Sequence, residues 1–136
     1  VAFDPGAEWA KRPWWLNVLL GFCLFMTVIY SPFDVVLKPL AQDQDVWLGY
    51  TFTGWAAKAG GVVHWIVYGT LTWGLWVMRP WAWLLGSLYA TQVALAMFLW
   101  PLFNAGSWMY AVVAGTLFAV PAVALWRARD RFGGAV

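Results

Sequence analysis

Trp81–Trp126 reads WAWLLGSLYATQVALAMFLWPLFNAGSWMYAVVAGTLFAVPAVALW and contains no Asp, Glu, Lys, Arg or His. A run of that length without a charge offers no face to water. Asn104 and Gly106 are turn residues, and they divide it into two spans, Trp81–Phe103 and Ser107–Trp126. A hydrocarbon core of ~30 Å is crossed by about 20 apolar residues at a rise of 1.5 Å each. Both pieces meet that length. Upstream, a third apolar run, Ala59–Met78, ends in a tight Arg79-Pro80 turn, and the stretch Trp14–Ser31 supplies a fourth. The expected fold is an all-α polytopic membrane protein. Four transmembrane helices form an up-down bundle in a single membrane domain over residues 1–136, with an outer loop over residues 32–58.

Composition agrees. The chain is 63% hydrophobic and only 10% charged, against about a quarter charged in soluble domains. After four spans and their loops nothing remains for a soluble domain. The net charge of +2 is too small to point to nucleic acid. The lone cysteine, Cys23, sits mid-span and reads as a small apolar residue. The chain is tryptophan-rich, with 13 Trp. Trp9, Trp14, Trp15, Trp76, Trp81, Trp83 and Trp126 gather at one set of span ends, and Trp47, Trp55, Trp100 and Trp108 at the other. Indole, flat and apolar with one N–H donor, favours the headgroup boundary. Trp65 and Trp73 fall inside the second span, facing lipid, a neighbouring helix or a ligand.

Charge sets orientation. Lys11, Arg12, Arg79, Arg127, Arg129 and Arg131 fall on one side of a four-span arrangement, and Lys38 and Lys58 on the other with Asp34, Asp43 and Asp45. The positive-inside rule places the first group, and both termini, in the cytoplasm. Arg127, Arg129 and Arg131 read as a cytoplasmic anchor reaching lipid phosphates. The apolar run after Lys11-Arg12 ends in Ile29-Tyr30-Ser31-Pro32, without the small-residue site of a cleaved signal peptide. Val1 reads as a literally translated GTG start codon, which points to a bacterial cytoplasmic membrane.

In the outer loop, Asp43 or Asp45 can cap a helix, and Val46, Trp47 and Tyr50 follow at helical spacing. The expectation is a short interfacial helix over Asp45–Trp55, with direct continuation into the second span as the alternative. Gly60-Gly61 is the natural place for a bend. Pro121 is expected to kink the last span.

His64 is the only histidine, and an ionisable residue inside a membrane is a candidate functional group. His64, Tyr68 and Thr72 align at steps of four on one helix, and Tyr89 and Gln92 share a face of the next. Together they form a polar seam, read either as interhelical hydrogen bonding or as a ligand site. The candidate ligand-binding residues are His64, Tyr68, Gln92, Tyr89 and Trp65. The ligand classes are a quinone, a lipid, or a pigment, carotenoid or tetrapyrrole. For a tetrapyrrole, His64 is the axial ligand and Gly60, one turn away, leaves room for the ring. No other metal site is indicated. Small residues mark helix-packing faces at Gly60, Gly74, Ala111, Gly115 and Ala119.

The sequence holds no catalytic constellation and no phosphate loop. The favoured reading is a small non-catalytic accessory subunit of a larger membrane complex, in contact with the lipid bilayer and with other membrane subunits or copies of itself. The alternatives are a homo-oligomeric small-molecule transporter or channel, and a membrane enzyme acting on a lipid or quinone with His64 as base.

Overall fold

The computed structural model describes residues 4–104 and 106–133. Val1, and residue 105 within the expected Phe103–Gly106 turn, lie outside them. The chain is mostly helical. A short α1 (Pro5–Ala10) is capped by the Asp4 carboxylate, which accepts from Gly6 N–H and Ala7 N–H. Four long helices follow: α2 (Trp14–Leu37), α3 (Gly54–Trp76), α4 (Ala82–Phe103) and α5 (Trp108–Arg127). Of these, α2, α4 and α5 are long and apolar enough to cross a membrane. Helix α3 is equally long at 23 residues but is diluted by Lys58, His64 and its threonines. Val18, Val28, Ile29, Ile66, Leu88, Leu117 and Val120 stand exposed on these helices, as expected where the surrounding solvent is lipid.

Helix α2 runs six residues beyond the expected Ser31, because its later part is wound as two π-turns, Met26–Tyr30 and Phe33–Leu37. Pro32, between them, is the local cause. Ser31 N–H bonds the Met26 carbonyl in the i→i−5 pattern, and the next bond in that pattern would be from residue 32 to Thr27. Proline has no N–H to give. The Trp65 indole N–H takes the vacant Thr27 carbonyl at 2.8 Å.

The expected interfacial helix over Asp45–Trp55 is replaced by an antiparallel hairpin, β1 (Gln44–Trp47) and β2 (Tyr50–Thr53), so the fold is not purely α. Leu48 and Gly49 both have positive φ, as a two-residue hairpin turn of the primed type requires. A Cβ on Gly49 would lie 2.6 Å from Leu99 Cβ, so this tip fits against α4 only as glycine. The run Val46, Trp47, Tyr50, Thr51, Phe52, Thr53 is made of β-favouring residues, and these outweigh the helical spacing. Helix α3 then starts directly at Gly54 and passes through Gly60-Gly61 without interruption. Pro121 likewise lies inside a continuous α5.

Helices α4 and α5 make the most extensive pairing, followed by α2 with α3. Gly115 seats Phe98, whose Cβ would stand 3.0 Å from an added methyl, and Ala111 is fully buried beside it. Ala119 lines an outward groove between the same two helices. The Ser87 hydroxyl donates to the Ala122 carbonyl at 2.8 Å. Gly74 makes room for the Trp81 ring. Trp73 lies in the last turn of α3, where it meets Trp81 and the Arg79 guanidinium rather than the middle of a span.

The apolar core occupies one end of the molecule. Leu16, Leu20 and Cys23 of α2 meet Leu71 and Leu75 of α3, Leu125 of α5 and Phe132 of the tail. At this end the buried Arg12 donates to Asn17 Oδ1, to the Glu8 carbonyl and to the Trp76 carbonyl at the end of α3. Gly133 N–H reaches the Met78 carbonyl. The N-terminal segment, the α3–α4 turn and the C-terminal tail therefore share one end, and Lys11, Arg12, Arg79, Arg127, Arg129 and Arg131 with them.

Candidate functional site

At the opposite end, α2, α3 and α4 leave a partly enclosed cavity of about 420 Å³, with β1 at its mouth. That is within the range of ~300–1,000 Å³ usual for small-molecule sites. Each wall comes from a different part of the chain. Helix α3 contributes Gly61, His64 and Tyr68, spaced so that they share one face; α4 contributes Tyr89 and Gln92. The π-wound half of α2 turns Tyr30, Ser31 and Asp34 toward it. A second, apolar cavity of about 60 Å³ adjoins it and shares Tyr68, Tyr89 and Val93.

Alternation along β1 puts Asp45 and Trp47 on the same side, and both meet α3. Asp45 Oδ1 lies 3.2 Å from His64 Nε2, and Oδ2 accepts the Trp47 indole N–H at 2.7 Å. The Trp47 ring stacks on the imidazole with centroids 4.2 Å apart. Gly60 permits this approach, since a Cβ there would stand 2.1 Å from Asp45 Oδ2. The space at Gly60 is thus filled by the hairpin. On its other side His64 Nδ1 is hydrogen-bonded to the Tyr89 hydroxyl. In a neutral imidazole that donates from Nε2 to Asp45, Nδ1 accepts from Tyr89, giving a chain of carboxylate, imidazole and phenol. Both ring nitrogens are engaged and one ring face is covered, so His64 presents no free nitrogen to a tetrapyrrole metal. Tyr89 meets Tyr68 edge-on at 5.2 Å.

Gln92 stands apart. Its amide oxygen and nitrogen are both shut off from solvent and neither has a hydrogen-bond partner, and the residue lines the cavity. Flipping the amide changes nothing, because both atoms are orphaned. Leaving one such group unpaired costs about 1–3 kcal/mol.

The loop that carries β1 is fixed by ions. Asp43, only 2% exposed, sits 2.9 Å from Lys58 Nζ and 3.2 Å from Lys38 Nζ. Lys58 also donates to the carbonyls of Asp34 and Lys38 at 2.6 and 2.7 Å, which ties α3 to the end of α2. Burial pushes the Asp43 carboxyl up, but the two lysines outweigh it and hold it below its ordinary value. For Asp45, burial again opposes, and His64, Trp47 and the Val46 amide prevail to hold the carboxyl low. Lys38 loses to burial but gains more from Asp34 and Asp43, and is raised. Neither Asp43 nor Asp45 begins a helix, as the spacing alone had implied.

Four of the five candidate ligand residues, His64, Tyr68, Tyr89 and Gln92, are brought to one cavity. Trp65 is not; it is spent on the Thr27 carbonyl. Thr72 also turns to α2, 3.3 Å from the Thr27 hydroxyl. The sequence reading missed Asp45, Trp47 and Asp34. The signal for the first two was present in the alternation of the β-favouring run. No family model, curated protein or solved structure matches this chain.

Proposed function

We propose that this chain is a small integral membrane subunit that crosses the bilayer four times and holds an amphipathic small molecule, such as a lipid or quinone, in the cavity beneath the β-hairpin. The observation that carries this reading is the unpartnered, buried amide of Gln92, on a residue that lines a cavity large enough for a small molecule. The lining mixes polar side chains, His64, Tyr89 and Gln92 among them, with the apolar Met26, Val93 and Met97. A molecule with both a polar and an apolar part would find partners for each. The gathering of six Lys and Arg at the other end supports an orientation with both termini on the cytoplasmic side. The wide exposed apolar surface and the small-residue groove between α4 and α5 favour contact with other membrane subunits or a second copy.

The test is mild-detergent extraction from the membranes in which the protein is made, size separation, and mass spectrometry of the peak for both polypeptides and small molecules. A stoichiometric amphiphile that is lost in Gln92→Leu supports the reading. A peak equally free of small molecules in wild type and variant would sink it. Co-migrating subunits support the accessory role, and a lone chain counts against it.

The Asp45–His64–Tyr89 chain favours a second reading, a membrane enzyme acting on the bound molecule. Here His64 would accept the Tyr89 proton while Asp45 holds the ring. Unchanged lipid and quinone pools on deletion of the protein would remove it.

A further inference from the structure

We infer that the cavity selects a cationic head group, a protonated amine or quaternary ammonium, from among amphiphiles; the inference rests on the ligand-holding reading above. Two carboxylates line the cavity, Asp34 and Asp45, and no Lys or Arg does. An anionic head group would meet two carboxylates there, with His64 the single basic side chain in the lining. Asp45 is occupied by His64, Trp47 and the Val46 amide. Asp34 is not fully used. Its Oδ1 pairs with Lys38 at 3.0 Å, while Oδ2 lies over Gly61, 3.3 Å from where a Cβ would stand. Among the described residues no hydrogen-bond donor reaches Oδ2.

The aromatic lining points the same way. Tyr30, Tyr68, Tyr89, Trp100 and Tyr110 all border the cavity. Ring faces carry negative potential, and a cation within about 6 Å of one is attracted more strongly as water is excluded. Gln92 adds a carbonyl dipole that no protein group satisfies. The local charge agrees as well. Asp34, Asp43 and Asp45 face Lys38 and Lys58, and Lys58 is committed to Asp43 and two backbone carbonyls. Counting Lys and Arg alone, three carboxylates stand against two ammonium groups at this end, and Asp45 is the one set against an imidazole.

The full chain in dodecylmaltoside would be titrated calorimetrically with octyltrimethylammonium, octyl sulfate and decylubiquinone. Saturable one-to-one binding of the ammonium ion, tighter than either comparator, is expected. Asp34→Asn should weaken it by about tenfold, the scale of one lost charge contact. Lys38→Gln should strengthen it, because that substitution removes the cation competing for Asp34. Two changes of opposite sign are not what general loosening of the fold produces, and thermal melts of both variants check that they fold. If decylubiquinone or octyl sulfate binds saturably and the ammonium ion does not, the charge assignment falls while the ligand-holding reading stands. If none binds saturably, both fall. Binding of the ammonium ion that is indifferent to Asp34→Asn and Lys38→Gln also overturns the assignment.

Discussion

Gly60 and Gly69 occupy the same helix and differ by what stands over them. A methyl on Gly69 would meet Thr27 Cγ2 at an ordinary 3.6 Å; on Gly60 it would collide with the Asp45 carboxylate and the Trp47 indole. Gly60→Ala should therefore push β1 off α3 and cost about 1–3 kcal/mol, the scale of overpacking. Gly69→Ala should be neutral or stabilising by up to roughly 1 kcal/mol, since alanine is the better helix former. Thermal unfolding in detergent, with hydrogen exchange of the hairpin amides, separates the two. Equal effects would mean that the hairpin does not rest on Gly60. At this scale the sequence was legible only along single helices. His64, Tyr68, Tyr89 and Gln92 were visible as a seam because steps of three and four are local. Asp45 and Trp47 were not, because their contacts with His64 depend on a strand folding back onto a helix 19 residues away.

Among the elements, α2 depends on a repair from outside itself. Trp65→Phe leaves the Thr27 carbonyl without its donor and should cost about 1 kcal/mol. In a Pro32→Ala background the new amide can bond Thr27, and the cost of Trp65→Phe should shrink. A double-mutant cycle measures this, and additive effects would refute the repair. The outer loop depends instead on charge. Asp43 and Asp45 have carboxyls held below their ordinary value of 3.8, so their stabilisation is complete above that value and lost as pH falls beneath it. Lys38 is raised above its ordinary 10.5, so its share is complete below 10.5 and lost as pH climbs past. Protection of the hairpin amides should therefore fall along an acid limb below about pH 4 and along an alkaline limb above about pH 10. Asp43→Asn should reduce the acid limb, with Asp45→Asn removing more, and should lower stability by roughly 3 kcal/mol by leaving Lys58 half-paired. An unchanged acid limb in the double variant would contradict the assignment. Neither the π-turns nor the ion cluster was legible. A proline marks a break but not which carbonyl it frees, and the strand and helix periods compete over residues 44–53.

For the whole molecule, apolar run length carried the architecture: three of the four expected spans reappear as apolar helices, and the fourth as a long helix whose polar residues border the cavity. In a Cys23→Ala background, Lys11→Cys and Arg129→Cys should react with a membrane-impermeant maleimide only from the cytoplasmic face, and Tyr50→Cys only from the other. Labelling of Lys11→Cys and Arg129→Cys from opposite faces would rule out an even number of crossings.

The Arg12 clasp bears on how the chain is made. Its guanidinium is satisfied partly by the Trp76 carbonyl, 64 residues downstream. Ribosomes add about 5–20 residues per second, so for several seconds the first helix waits with that donor unmatched. Only when α3 has been made can the arginine take that peptide carbonyl, and the contact then ties the N-terminal segment to the end of α3.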